Sequence, residues 1–291
     1  MGHPRNEQIA VKLRELADLL AAQGANPFRI AAYRKAAETV AGLAQDIGIL
    51  FDQGGVEALE GLPGIGASLA AALREMIRTG RWSQLERLRG ELEPEKRFQA
   101  VAGVGPKLAK RIHDTLGVET LEGLELAAHD GRLETVPGVG ARRAAIIRNA
   151  LAELLARPRA RRRSGAAEPS VGELLDLDQR YRKLAQADKL PKIAPKRFNP
   201  RGEAWLPILH AEKGPWHYTV LFSNTARAYE LKRVRDWVVM YFAADDREEG
   251  QRTVVTETQG PLRDRRVVRG REQECEALYS ARRGSDNTES P

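Results

Sequence analysis

The spacing of apolar residues divides the chain into two unlike parts. Up to about residue 157, Leu, Ile, Val and Ala recur every three or four positions, the period of an amphipathic helix. Ile9, Leu13, Leu16 and Leu20 form one such stripe, with Asn6 expected as the N-cap and Gly24 as the stop. A second helix is predicted after Asn26-Pro27, with Phe28, Ala31, Ala36 and Val40 facing inward. Further helical patterns span about 67–79, 82–89, 106–115, 119–128 and 141–156. From residue 170 the period changes. The segment 171–181 is still helical, but 204–210, 216–223, 236–242, 251–258 and 265–269 read as strands, with turns at 213–215 and 245–250. Short helices are expected at 224–231 and 272–279. The predicted fold class is a mainly α N-terminal half followed by a separate, small antiparallel α+β domain.

Composition refines this picture. A chain of 291 residues suggests about two domains at roughly 100–200 residues each. The expected boundaries are 1–90 and 91–157 for two helical parts, 158–169 for an Arg-rich linker, 170–285 for the α+β domain and 286–291 for a disordered tail. One cysteine, Cys275, excludes an internal disulfide framework and a Cys-only zinc cluster. No run approaches the ~18 apolar residues of a membrane span, and the start lacks an apolar signal segment, so a cytoplasmic protein without a membrane partner is expected. The net charge of +7 favours an anionic partner. Yet residues 1–157 carry 21 basic and 20 acidic side chains, so the helical half is close to neutral.

Candidate chemistry lies in a repeat. Leu62-Pro63-Gly64-Ile65-Gly66, Val101-Ala102-Gly103-Val104-Gly105 and Val136-Pro137-Gly138-Val139-Gly140 share one pattern, each with Ala four residues after the second Gly. A Gly-apolar-Gly turn lets the backbone bend tightly and approach a ligand with no Cβ in the way. The apolar residue pins the turn to the core, and the next helix then presents its free N–H groups, where the dipole favours an anion. Such a site grips phosphate without reading a base. This is the helix-hairpin-helix signature, here in three copies.

The order Asn26-Pro27-Phe28-Arg29-Ile30-Ala31-Ala32-Tyr33-Arg34-Lys35, the first Gly-Ile-Gly turn, then Thr79-Gly80-Arg81 resembles the N-terminal region of X-family DNA polymerases. The resemblance covers about residues 5–157, the lyase-type and fingers modules. It implies a sequence-independent DNA-binding protein of base-excision repair, acting on gapped, nicked or flapped duplex. Backbone amides around Gly64, Gly66 and Ser68, and around Gly103, Gly105 and Lys107, would meet phosphates; the third copy adds Gly138, Gly140, Arg142 and Arg143. Arg29, Tyr33 and Lys35 match the edge of the family's 5′-phosphate pocket, although Tyr33 reads equally well as a core aromatic. The carbonyls of Leu62 and Ile65, and of Val101 and Val104, match a monovalent-cation site, and no other cofactor is required.

The departures from that family are as informative. The lysine that forms its Schiff base is replaced by Ala72, and arginine cannot substitute because it stays protonated. Ser68 and Gln84 stand where family members carry lysines. The only Asp-x-Asp, Asp176-Leu177-Asp178, sits in a helical pattern and reads as a solvated helix face. The expectation is therefore binding without polymerase or lyase activity. Two alternatives remain: a DNA-processing enzyme whose C-terminal domain gathers His210, His217, Glu230, Asp236 and Glu257 around a metal, and a protein-interaction module. The basic stretch 189–201 reads as a track for a phosphate backbone or as a plain connector.

Overall fold

The computed structural model describes residues 3–91, 94–118, 121–154, 168–244 and 247–286. The end of the helix expected at 141–156, nearly all of the Arg-rich linker and most of the expected tail lie outside these residues. The helical half contains α1 (Pro4–Ala22), α2 (Pro27–Ala41), α3 (Ile47–Glu60), α4 (Ala67–Thr79), α5 (Ser83–Arg89), α6 (Pro94–Phe98), α7 (Pro106–Leu116), α8 (Leu121–His129), a 3₁₀ turn (Arg132–Thr135) and α9 (Ala141–Leu154). The second half contains α10 (Val171–Gln186), β1 (Lys192–Ile193), β2 (Leu206–Lys213), β3 (Trp216–Phe222), α11 (Ala226–Glu230), β4 (Val238–Ala244), β5 (Arg247–Thr256), β6 (Arg266–Val268) and α12 (Glu272–Asp286).

Three local expectations need correction. Pro4, whose fixed φ suits a first helical turn, starts α1 two residues ahead of Asn6. Asn6 is instead buried: its side chain donates to the Gln45 carbonyl at 2.8 Å and accepts from the Ile47 amide at 2.9 Å, tying α1 to the start of α3. On α2 the inward stripe is Tyr33, Ala36, Ala37 and Val40. Phe28 is out of phase with it and 85% exposed, and Ala31 is exposed too. The α3 helix was not anticipated, because glycines at 48, 54 and 55 weaken the pattern. Gly55 does interrupt it, at φ +64°, while Phe51 and Leu59 still reach the core.

The six strands form one antiparallel sheet in the order β1-β2-β3-β4-β5-β6. Helices cover both faces. On one face His210 meets Gln23, just past α1, and the Tyr241 ring lies under Arg87 of α5. On the other face, Tyr181 of α10 packs edge-on against Phe222, and its hydroxyl joins the Pro207 carbonyl and the Phe222 amide. Two covered faces explain why β4 is buried throughout, with no polar alternation. Residues 245–250, read as a turn, belong largely to β5, which begins at Arg247. Gly250 is there because it lies under the Phe242 ring, where a Cβ would come within 2.4 Å.

Burial sorts the chain differently from composition. The buried residues of α1–α5 form one continuous cluster with the sheet and α10. Residues 98–151, with the second and third Gly-apolar-Gly turns, form a cluster of their own.

The join between α1–α5 and the sheet contains a buried arginine. Arg87 is 2% exposed, donates to both carboxylate oxygens of Glu249 at 3.0 and 2.8 Å, and stacks 3.2 Å from the centre of the Tyr241 ring. Removing one partner strands the other's charge. We therefore expect Arg87→Met to destabilise the protein by roughly 3–5 kcal/mol in urea unfolding.

His210 lies at the same join, bonded to Gln23 at 2.9 Å and Thr219 at 3.2 Å. Burial, aided by the charges of Arg29 and Arg87, pushes its pKa down to about 3. In the unfolded chain it titrates near 6.5, so acid favours unfolding. Stability should fall as pH drops from about 6.5 towards 3, by up to a few kcal/mol, and His210→Gln should flatten that slope in urea midpoints measured from pH 7 to pH 4.

Candidate nucleic-acid interface

The three turns have one geometry. In each, the apolar middle residue donates its amide three residues back: Ile65 to the Leu62 carbonyl at 3.1 Å, Val104 to Val101 at 3.0 Å and Val139 to Val136 at 2.9 Å. The middle side chains are buried and pin the turns. The alanines four residues past the second glycines, Ala70, Ala109 and Ala144, are buried as well, so the helices pack closely there.

The two glycines of each turn answer different demands. The first ones, Gly64, Gly103 and Gly138, have φ of +76°, +84° and +86°, a region that favours glycine. The second ones do not. Gly66 has φ −88° and ψ 179°, and Gly105 has φ −84° and ψ 174°, ordinary extended backbone. A Cβ built on Gly105 or Gly140 meets nothing within 4 Å. No side chain caps α4 or α7 at Gly66 and Gly105, so the first amides of these helices have no side-chain acceptor.

The second and third turns face each other in a pseudo-twofold arrangement. Ile146 of α9, six residues past Gly140, lies 3.5 Å from the Cβ position of Gly103. Arg111 of α7, six residues past Gly105, lies 2.9 Å from that of Gly138. Arg111 is a residue the sequence reading missed; its only signal was this equal spacing. Arg143 folds back onto its own turn, donating to the Gly138 carbonyl at 2.9 Å. Lys107 and Arg142 occupy matching positions, two past the second glycine, and both are exposed.

At the first turn the covering residue comes from α2: the Lys35 stem lies 3.3 Å from the Cβ position of Gly64. Ser68 is half-buried in the first turn of α4. Tyr33 turns into the core, its hydroxyl donating to Gln84 at 2.9 Å and its ring 5.8 Å from that of Trp82. Arg29 lies 6.0 Å from the centre of the Tyr33 ring. The carbonyls of Leu62 and Val101 each already accept one turn hydrogen bond, which leaves a lone pair on each. With Ile65 at the first turn and Val104 at the second, they make two separate pairs of neutral oxygens, a donor type that fits a hard cation.

The acidic candidates do not converge. Asp178 is not on a solvated face. It is 1% exposed and paired through both oxygens with Arg266, at 2.7 and 2.9 Å. Asp236 is held by the same guanidinium and by Thr256, Glu257 by Arg269, and His217 by Glu212. Among the described residues, the one group of three metal-ligand types within reach of each other is Glu95, His113 and Asp114. Glu95 already takes His113 at 3.1 Å and the guanidinium of Arg197. Burial opposes its ionisation, but these two partners overcome it and hold its pKa down to about 2. The stretch 189–201 is strapped to the helical half by this ion pair and by the Lys196 amide on the Gly90 carbonyl at 2.7 Å.

Comparisons agree with the geometry. Residues 4–82 match the family described as a helix-hairpin-helix domain, and residues 95–153 match a SAM-like helix-hairpin-helix tandem. The chain is also similar to the DNA polymerase/3'-5' exonuclease PolX of Bacillus subtilis (strain 168), with 31% identity over 142 residues. The similarity covers 48% of this chain and 24% of that protein, so it spans about a quarter of the relative's length. The N-terminal half thus resembles the lyase-type and fingers region of X-family polymerases. No helix among the described residues is long and apolar enough to cross a membrane.

The glycine geometry has a direct consequence for stability. Gly103→Ala forces a Cβ into the left-handed region and should cost about 1–2 kcal/mol. Gly105→Ala should change stability by less than about 0.5 kcal/mol, since its φ suits any residue and the N-cap preference for Gly over Ala is offset by the lower unfolded-chain entropy of Ala. Parallel urea titrations of the two variants check the contrast.

Proposed function

We propose that the chain is a sequence-independent DNA-binding protein that grips backbone phosphates through its three hairpins. The observation that carries this reading is the second glycine. At Gly105 and Gly140 neither a positive φ nor packing excludes a side chain, so the surface at the head of each helix is left bare towards solvent. A phosphate oxygen approaching uncapped helix amides is the ligand that such a bare surface suits. The similarity to a polymerase and exonuclease that acts on DNA supports the same partner.

Within the proposal, the preferred substrates are gapped, nicked or flapped duplexes of base-excision repair, in the cytoplasm. Lys35 beside Gly64 adds a cation at the first turn, and Lys107, Arg111 and Arg142 add cations at the other two. The carbonyls of Leu62 and Ile65 would hold a monovalent cation at the first turn, and those of Val101 and Val104 another at the second. The role is binding without lyase or polymerase chemistry: Ala72 offers no amine, α4 contains no lysine, and Asp178 is spent on Arg266.

The test is fluorescence anisotropy on gapped and intact duplexes across a salt series. Gly105→Val with Gly140→Val should weaken binding about tenfold or more, equally for every sequence, with the fold unchanged. Wild type should lose affinity with salt at a slope of about −0.9 per phosphate neutralised. Unchanged affinity of the double variant would sink the proposal.

A further inference from the structure

The α10 side of the sheet carries a cavity of about 860 Å³, bounded by α10, α12 and the edge of the sheet. Its volume lies in the range of ligand-binding clefts. The acids in its wall are already matched. Asp178 is clamped by Arg266, Asp188 meets Lys192 at 2.5 Å, and Asp176 lies 3.5 Å from Lys213 and 3.6 Å from Arg282. Three cations in the lining are left over: Arg182 and Lys183 on α10, and Arg235 just before β4. Among the described residues no carboxylate partners any of them, and all three are exposed.

Aromatic surface adjoins this surplus charge. Trp205, half-buried at the start of β2, forms part of the wall. Tyr279 forms another part, with its hydroxyl engaged on the Arg266 carbonyl at 2.8 Å, so its contribution to the cavity is ring rather than donor. Uncompensated Arg and Lys beside an accessible indole are the chemistry that holds single strands: the cations track phosphates and the ring takes a base face. A paired base cannot offer that face, because its neighbours in the duplex stack already cover it.

We propose that this cavity binds a segment of single-stranded DNA, with phosphates at Arg182, Lys183 and Arg235 and a base against Trp205. The site is distinct from the hairpins and does not rest on their role.

The test uses the full chain and a fluorescein-labelled dT8 oligonucleotide, followed by anisotropy against salt. Arg182→Ala/Lys183→Ala/Arg235→Ala should weaken dT8 binding about tenfold or more and flatten the salt slope by about 2, the value for three single-strand phosphates. Trp205→Phe should remove most of the change in tryptophan emission that dT8 produces. Intact duplex separates the two readings: Arg182→Ala/Lys183→Ala/Arg235→Ala should keep wild-type affinity for it, whereas Gly105→Val/Gly140→Val should lose it, so failure of the hairpin reading and failure of this one are separable. The proposal is overturned if the triple variant binds dT8 like wild type. It is equally overturned if the triple variant loses intact duplex to the same extent as dT8, or if free dTMP displaces dT8 at equal concentration, which would make the cavity a mononucleotide site.

Discussion

Arginines without access to water are the constraint around which the parts of this chain are arranged. A guanidinium stays charged at any relevant pH, so a buried one must find a carboxylate in a set geometry. Arg87 of α5 finds Glu249 of β5, with Tyr241 of β4 beneath it. Arg97 of α6 reaches Glu86 of α5 at 2.7 Å and lies 3.6 Å from Glu75 of α4. Arg197, from the loop before β2, meets Glu95 of α6, which also takes His113 of α7. The pairs thus run from the sheet through α5 and α6 into α7. A pair of this kind adds little net stability over an apolar contact, but it tolerates little displacement. Its consequence is registry: the first turn, at the head of α4, and the second, at the head of α7, belong to separate apolar cores yet share one chain of ion pairs.

That registry was the part least legible in the sequence. Trp82-Ser83-Gln84-Leu85-Glu86-Arg87-Leu88 reads only as a helical pattern with four polar positions, yet every one of these residues is buried. Nothing local could show it, because α1 covers one side of α5 and the sheet covers the other. Asp178 was misread for the same reason: its partner Arg266 is 88 residues away. Local backbone demands, by contrast, were readable. The Gly-apolar-Gly turns, the start of α2 after Asn26-Pro27 and the bounds of α4 follow from single residues whose conformational preferences need no distant partner. Five of the six strands were readable from β-branched and aromatic runs, while β1 and the burial of both faces of the sheet were not.

The site divides along the same line. Its backbone was legible, and its side-chain environment was not. Lys35 over Gly64 and Arg111 over Gly138 arise from contacts between elements, one from α2 and one from the pseudo-twofold pairing of α7 with the third turn. Tyr33 follows from packing as well: Trp82 and Gln84 draw it inward, so the edge of the first turn is left to Lys35.

The pseudo-twofold pair is also unequal in a way that bears on polarity. The residue over the second turn is Ile146, half exposed and neutral; the residue over the third is Arg111, with Arg143 folded onto the same loop. Two hairpins of nearly identical backbone therefore present different charge to an anion at the head of the following helix. Backbone amides are the same at both and cannot prefer one orientation of a ligand lying across the pair. A guanidinium at one mouth and an isoleucine at the other can, because charge-assisted contacts to phosphate are stronger than neutral ones. In the proposed function, the direction of a phosphate backbone across α7 and α9 would be set by the side chains six residues past each second glycine, while the glycines would set only how closely it approaches.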